Sequence, residues 1–335
     1  DYVTTSGIVT TIKMPLKKTA TMTAPTVTGY TFTKWVAGRG TTGTEVASSN
    51  GVATTQAQAS IPTSALEYSA VYTANSYTVT ISKGTGVASV SYSTNLNETT
   101  GSASTFTVYF GETVTLTGTA STGYYNIAYS ATGVTISSGS YTHNIASNLT
   151  ITVSATIKTF GVTTSANPTA GGNAYVGATG TEASANFNYG ASVTVRAIAT
   201  TGYHFTGWYV GETKVSDDLT YTFTMQDIGA NGSKYNLVAH FAQNTYNVEV
   251  GSATYEYNET DAKHELSSTL VGGTVSGNAT GVVYGKTATV TATASAGYAF
   301  IGWFENANCT GTAVSTSASY SPTLNNSLTY ASNET

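Results

Sequence analysis

The chain has 335 residues and a net charge of −5, and only 9% of its residues are charged, whereas about 25% is typical of soluble domains. With 12 Lys and Arg residues and no basic face, binding to nucleic acid is not expected. No stretch approaches the roughly 18 apolar residues of a membrane span, and a single cysteine, Cys309, excludes an internal disulfide. Hydrophobic residues make up 40% of the chain and Tyr occurs 24 times, a composition that favours strands around buried cores.

One sequence segment occurs four times along the chain. All four copies end with a Gly-Tyr pair. Three of them also begin with an aromatic-Gly pair, and in these three the two glycines are 12 residues apart, as from Gly111 to Gly123. The first copy keeps the register but has Leu16 and Lys17 in place of the aromatic-Gly pair. The four copies, in chain order, are LKKTATMTAPTVTGY from Leu16, FGETVTLTGTASTGY from Phe110, YGASVTVRAIATTGY from Tyr189 and YGKTATVTATASAGY from Tyr284. A recurrence of this kind predicts a tandem repeat.

Within each copy, small or apolar residues alternate with Thr or other polar residues. A period of two predicts a half-buried strand with its polar side chains in solvent. We expect the core-facing positions to be Ala20, Met22 and Ala24; Val114, Leu116 and Gly118; Val193, Val195 and Ala197; and Ala288, Val290 and Ala292.

A second strand follows each Gly-Tyr pair. It carries a large aromatic residue six positions after the glycine, namely Trp35, Tyr129, Trp208 or Trp303, with Phe32, Phe205 or Phe300 midway. Because these aromatics recur at one position, we predict that they are core residues. The second copy has Asn126 in place of the Phe, so its core should pack differently.

Opening strands at Tyr77, Phe160 and Tyr246 and closing strands at Leu66, Leu149, Tyr235 and Leu328 complete the pattern. It predicts a mainly β chain built as a tandem array of about four small β-rich modules joined by short linkers. We place them at segments 1–75, 76–157, 158–244 and 245–335. The first segment is expected to be incomplete at its N-terminus, the second divergent and the fourth incomplete at its C-terminus, as though cut from a longer array.

The motif resembles the Listeria–Bacteroides repeat family, that is, the internalin-type B repeats and their divergent relatives in bacterial surface proteins. The third segment carries the resemblance best, with YGASVTVRAIATTGYHFTGWYV followed by YNLVAHF; GYAFIGWF in the fourth and GYTFTKW in the first are close to it. The resemblance implies β-grasp-like modules, repeated in secreted or wall-attached proteins, that serve as spacers or in adhesion. It implies no catalytic residue.

The residues that could carry chemistry are scattered. We expect His143, His204, His240 and His264 to be exposed, and Asp217 and Asp218 to lie in a solvated turn, with a weak calcium site as the alternative. Glu256, Glu259, Asp261 and Glu265 form a looser acidic stretch, and Cys309 should be a small apolar residue in a loop or at a core edge. We therefore predict no catalytic, cofactor-binding or metal-binding residue and no enzymatic activity. Among the aromatics, Tyr92, Tyr109, Tyr125 and Tyr175 have no repeat counterpart and are the better candidates for contacting a ligand.

These observations predict a non-enzymatic bacterial surface or secreted protein that acts as a structural spacer or adhesin stalk. The alternatives are a self-assembling extracellular filament or sheath subunit and an array of carbohydrate-binding modules. Expected partners are other domains of a longer surface protein, copies of the chain itself, and host or matrix glycans or proteins. Asp1 begins no secretion signal, and since the composition is typical of extracellular proteins, we expect such a signal to have been removed.

Overall fold

The computed structural model describes residues 2–6, 9–47, 51–55, 57–58, 62, 64–96, 98–260, 262–267 and 271–334. It divides into two compact units, Asp1–Lys158 and Thr159–Thr335, each of which is described by itself.

The described residues of the first unit form fifteen strands. Their bounds are β1 Tyr2–Ser6, β2 Val9–Lys13, β3 Thr21–Thr23, β4 Tyr30–Ala37, β5 Glu45–Ala47, β6 Val52–Thr54, β7 Tyr68–Ala74, β8 Ser76–Lys83, β9 Val87–Thr94, β10 Thr100–Gly101, β11 Thr105–Tyr109, β12 Thr113–Ala120, β13 Tyr124–Ser130, β14 Ser140–Thr142 and β15 Leu149–Ile157.

In the part of the second unit that the structure describes there are sixteen strands. Their bounds are β16 Thr159–Asn167, β17 Gly172–Val176, β18 Ser184–Asn188, β19 Ser192–Ala199, β20 Tyr203–Val210, β21 Thr213–Ser216, β22 Thr220–Thr224, β23 Lys234–Gln243, β24 Thr245–Asn258, β25 Lys263–Ser267, β26 Gly273–Ser276, β27 Ala279–Val283, β28 Val290–Ala294, β29 Phe300–Phe304, β30 Ser319–Tyr320 and β31 Leu328–Glu334. The predicted mainly β fold is confirmed, since a 3-10 turn at Thr169–Gly171 is the only helical element of the described residues.

One sheet arrangement recurs in the second, third and fourth segments. The opening and closing strands lie side by side and run parallel, as β8 with β15, β16 with β23 and β24 with β31. Antiparallel strands flank them, β11 and β13 in the second segment, β18 and β20 in the third, and β27 and β29 in the fourth. In the first segment β7 pairs with β4, and β1 and β2 form a hairpin.

A second sheet, with four strands in the second segment and three in the third and fourth, faces each of these sheets. It consists of β10-β9-β12-β14, of β17-β19-β22 and of β26-β28-β30. Side chains from both sheets form a separate core in each segment, such as Val162 and Leu237 against Val193 and Val195 in the third. The core-facing positions predicted by alternation are buried or half-buried in all four copies. The β-grasp-like form is not confirmed, because the layer that covers each sheet is a sheet and not a helix.

A β-bulge explains the spacing of the recurring Phe and Trp. Residues three apart on a regular strand point to opposite faces, but the pairing of β20 with β23 shifts register between Phe205 and Gly207. The extra residue turns Phe205 and Trp208 to the same side, where their ring centroids are 5.9 Å apart. The same shift and contact recur in Phe32 with Trp35 at 6.1 Å and in Phe300 with Trp303 at 5.7 Å.

The recurring aromatics are core residues, as predicted. Trp208 and Trp303 are fully buried and Trp35 is 8% exposed. In the second segment Tyr129 takes the Trp position and its hydroxyl accepts a hydrogen bond from the Gly118 amide at 2.6 Å. Asn126 is exposed, with a φ of 56°, so this core does pack differently.

Replacement of Trp208 by Ala should destabilise the third segment by roughly 3–5 kcal/mol, because it leaves a large cavity in a separate core. Urea unfolding followed by hydrogen exchange of strands β16 to β23 would measure the loss, and the exchange of strands β24 to β31 would show whether the fourth segment stays protected. The control is Tyr257→Ala, at a side chain that is 55% exposed, where a change within about 0.5 kcal/mol is expected. A Trp208→Ala variant that unfolds like the wild type would refute the assignment.

Candidate interaction site at the junctions between segments

The four histidines lie in different environments. His204 and His264 are exposed and His240 is half-buried. His143 is fully buried, so the prediction that it lies on the surface was wrong.

His143 occupies a core position that the third and fourth segments fill with apolar side chains. The Gly111 amide donates a hydrogen bond to the carbonyl of His143 at 2.8 Å, and Gly190 and Gly285 donate the same bond to Met225 and Leu324. Met225 is 1% exposed and Leu324 is fully buried. Equivalent backbone contacts therefore place the imidazole where hydrophobic packing is expected.

The surroundings of His143 hold it in its neutral form. Its Nε2 lies 3.2 Å from the Ser147 carbonyl, which can only accept, so Nε2 carries the proton and Nδ1 does not. Burial lowers the pKa of His143 below its ordinary value, and the Ser147 carbonyl and the Glu112 carboxylate oppose that shift without reversing it. The pKa of the neighbouring Tyr141 is raised, mainly by burial and to a smaller extent by the negative charge of Glu112.

Glu112 is also fully buried, and its carboxylate accepts hydrogen bonds from two backbone amides. Oε2 accepts the Tyr109 amide at 2.9 Å and Oε1 accepts the Leu96 amide at 3.2 Å. These bonds offset part of the desolvation penalty of the carboxylate. Glu112, Tyr141 and His143 are thus enclosed in a core rather than presented to a substrate.

The acidic candidates and the cysteine lie apart from one another in the part of the chain that the structure describes. Asp217 and Asp218 are exposed in a turn, where Lys214 forms an ion pair with Asp217. Across the described residues, no three His, Cys, Asp or Glu side chains are grouped so as to hold a metal ion. Glu256, Glu259 and Glu265 are exposed in the β24–β25 hairpin region, and Asp261 lies outside the described residues. Cys309 is buried at a small core edge with Ala253 and Phe304, as predicted.

The unmatched tyrosines of the first unit, Tyr92, Tyr109 and Tyr125, do not share a surface. Tyr92 is 8% exposed and stacks on Phe106 with ring centroids 3.8 Å apart, so it is a core residue and not a ligand candidate. Tyr109 and Tyr125 lie on β11 and β13, at opposite edges of one sheet. Tyr175 lies on β17, with the Arg196 guanidinium carbon 5.5 Å from its ring centroid.

Two motifs of the repeat, the Gly-Tyr turn and the next aromatic-Gly turn, meet where the first segment joins the second. The Gly-Tyr turn at Gly29 has a φ of 81°, and the ring of Phe110, from the next aromatic-Gly turn, lies directly over it. A Cβ at Gly29 would be 2.2 Å from that ring, so only glycine fits. Between them, the amide of the linker residue Asn75 donates to the Gly29 carbonyl at 2.9 Å, and the Asn75 carbonyl accepts the Phe110 amide at 3.0 Å.

The junction of the third and fourth segments has the same construction. Gly202 has a φ of 87° and lies under the ring of Tyr284, which a Cβ would approach to 2.5 Å. Asn244 donates to the Gly202 carbonyl at 2.8 Å and accepts from the Tyr284 amide at 2.9 Å. The side chain of Asn244 also bonds His204, whose Nδ1 is 2.8 Å from Oδ1. Sequence reasoning found both motifs and the linkers, but not that they contact one another.

Comparison with known families agrees with this repeated construction. The divergent InlB B-repeat domain matches residues 162–245 and 266–332, and the Listeria-Bacteroides repeat domain matches residues 2–58. The chain belongs to this repeat family, as the motif predicted. Neither match includes segment 76–157, where the motif is weakest.

Wider comparisons add little. No curated protein matches the chain. Among solved structures, the Bacillus anthracis TIE protein aligns at 11% identity over 94% of this chain and 68% of its own, with a TM-score of 0.37. The pilus adhesin SpaC from Lactobacillus rhamnosus GG aligns at 9% identity over 95% of this chain and 57% of its own, with a TM-score of 0.24. TM-scores this low carry no argument about function. In the described part of the chain, no helix has the length and apolar character to span a membrane.

Substitution of Gly202 by Ala should destabilise its junction by about 1–3 kcal/mol more than Gly297→Ala does. Both glycines have a positive φ, 87° and 89°, so the backbone strain of an added Cβ is matched. The ring of Tyr284 blocks a Cβ only at Gly202, since nothing lies within 4 Å of the corresponding position at Gly297. Differential scanning calorimetry of the two variants would compare them, and equal losses would show that the ring does not restrict the site.

Lowering the pH below about 6.5, the ordinary pKa of histidine, should destabilise the second segment. The folded-state pKa of His143 is lowered, so the unfolded chain binds a proton that the folded chain does not, and the free energy of unfolding falls until the pH reaches that lowered value. Unfolding measured between pH 7 and pH 5 would show it. His143→Met, which copies Met225, should remove this dependence, and His264→Gln, at an exposed histidine, should keep it. A dependence unchanged in His143→Met would contradict the assignment.

Proposed function

We propose that the chain is a non-enzymatic spacer or adhesin stalk of the bacterial cell surface, built from repeat modules at 1–75, 76–157, 158–244 and 245–335. The observation that carries the proposal is the junction, in which an aromatic ring covers a glycine and a linker asparagine bonds both sides, at Gly29 and again at Gly202. A contact built from the repeat motif itself thus joins the first module to the second and the third to the fourth in the same way.

The separate cores support this role. Each of the second, third and fourth segments closes its own pair of sheets around its own buried residues. In such an array the stability is approximately a sum of module terms and nearest-neighbour terms. Modules can therefore be added to lengthen a spacer without redesigning those already present.

The surface composition supports an extracellular position. The charge of −5 is spread over 335 residues, and exposed hydroxyl pairs such as Thr194 with Thr222 and Thr33 with Thr73 line the outer faces of strands. A neutral, hydroxyl-covered face presents little to attract charged solutes. In this proposal, recognition of a host or matrix glycan or protein belongs to other domains of a longer surface protein.

A filament subunit is the second candidate, and the β24–β25 hairpin is the observation that favours it. Strand β25 is an edge of its sheet, and the nearby Leu266 and Tyr257 are 50% and 55% exposed. An exposed edge strand presents unpaired amide and carbonyl groups, which are a template for pairing with another chain.

Light scattering over a range of concentrations, with electron microscopy, separates the two candidates. A spacer should remain a monomer of 34.5 kDa, because strands that paired would join neighbouring stalks. Regular polymers would refute the spacer. If polymers form, Leu266→Lys should abolish them when β25 is the contact, whereas Lys263→Arg, on the same strand, should leave them unchanged.

A further inference from the structure

One Gly-Tyr turn has the conformation of the junction turns but no ring above it. Gly297 has a φ of 89°, against 81° at Gly29 and 87° at Gly202. Gly29 and Gly202 are buried, whereas Gly297 is exposed. In the described part of the chain, no atom lies within 4 Å of the position that a Cβ would take at Gly297.

We propose that the Gly297–Tyr298 turn is a docking site for the aromatic-Gly turn of a further repeat module, whose Phe or Tyr ring would lie over Gly297. The inference rests on the proposed spacer function and deepens it, because it names the surface through which the array is extended. The occupied turns define the partner, since Phe110 covers Gly29 and Tyr284 covers Gly202.

At the occupied junctions, the linker residue makes backbone hydrogen bonds in addition to the contact of the ring with the glycine. The Gly29 and Gly202 carbonyls each accept a linker amide, from Asn75 and Asn244. The same linker residue then accepts the amide of the aromatic residue. The occupant must therefore arrive as an extended linker followed, several strands later, by an aromatic-Gly turn, which is what a module of this repeat class presents.

A second copy of this chain fits the site less well. Its first aromatic-Gly position holds Leu16 and Lys17, with Leu16 47% exposed and Lys17 at a φ of 59°. Leu16 offers an apolar contact but no flat ring. A separate chain also lacks the covalent linker whose amide bonds the glycine carbonyl. We therefore assign the site to a module that continues the same chain.

Strand register shows where such a linker would lie. Phe205 pairs with Phe241 on the closing strand, and Asn244 follows Phe241 by three residues. Phe300 pairs with Glu334 in the same way. The linker residue of a following module, whose backbone amide and carbonyl make both bonds, therefore belongs at the third residue after Glu334.

The test adds that module to the full chain. A copy of residues 243–335 fused directly after Thr335 puts a copy of Asn244 at the required position and supplies a copy of Tyr284. Hydrogen exchange of residues 295–300, read by mass spectrometry, should slow by at least about tenfold relative to the unextended chain, because the turn becomes covered. The matched control replaces only the copied Tyr284 by Ser, and most of the protection should disappear.

Two outcomes would overturn the proposal: equal exchange in the extended and unextended chains, or equal protection with the Ser control. A second extension that carries residues 157–244, with Tyr189 as the ring, guards against a copy that fails to fold, and failure of both extensions to protect the turn also refutes the site. Neither result bears on the light-scattering test of the unextended chain, so the spacer function and the docking site can fail separately.

Discussion

At each junction within the two units, the ring of Phe110 or Tyr284 lies on a glycine of the preceding segment, close enough that no side chain could stand between them. The glycine has a left-handed backbone, which brings its carbonyl to the linker asparagine, and the asparagine in turn holds the amide of the aromatic residue. Because the glycine and the ring both belong to the repeated motif, the same contact forms between the first and second segments and between the third and fourth.

Much of the fold could be predicted because its determinants are local. Period-two alternation placed Val193, Val195 and Ala197 in the core, and recurrence at one position placed Trp208 there. The three-residue spacing of Phe205 and Trp208 conflicts with simple alternation, and the bulge resolves that conflict. Such a spacing, repeated in three copies, is itself a signal for a bulge. The junction could be predicted only in part, since the motifs are visible in the sequence but their contact joins residues about 80 positions apart.

His143 and Tyr92 were misplaced for a different reason. Burial of a polar side chain depends on which strands pack over it, and that information is not local. For His143 a signal did exist, because Tyr141-Thr142-His143 aligns with Phe223-Thr224-Met225 and with Pro322-Thr323-Leu324. Comparing the copies at that position shows two apolar residues and one imidazole, which predicts a buried histidine. Tyr92 has no such counterpart, and its stacking on Phe106 joins strands from two facing sheets.

The second segment differs from the third and fourth in having two neighbouring polar residues, Glu112 and His143, buried in its core. Directly after the aromatic-Gly turn, the third and fourth segments have Ala191 and Lys286, whereas the second segment has Glu112. At the core position where the third and fourth segments bury Met225 and Leu324, the second segment buries His143. A buried imidazole and a buried carboxylate stabilise a core less than well-packed apolar side chains of similar volume do. Since the second and third segments have separate cores, that penalty falls on the core of residues 76–157. Because burial lowers the pKa of His143 within that core, the divergence that weakens the segment's match to the family also gives the stability of this core a dependence on pH.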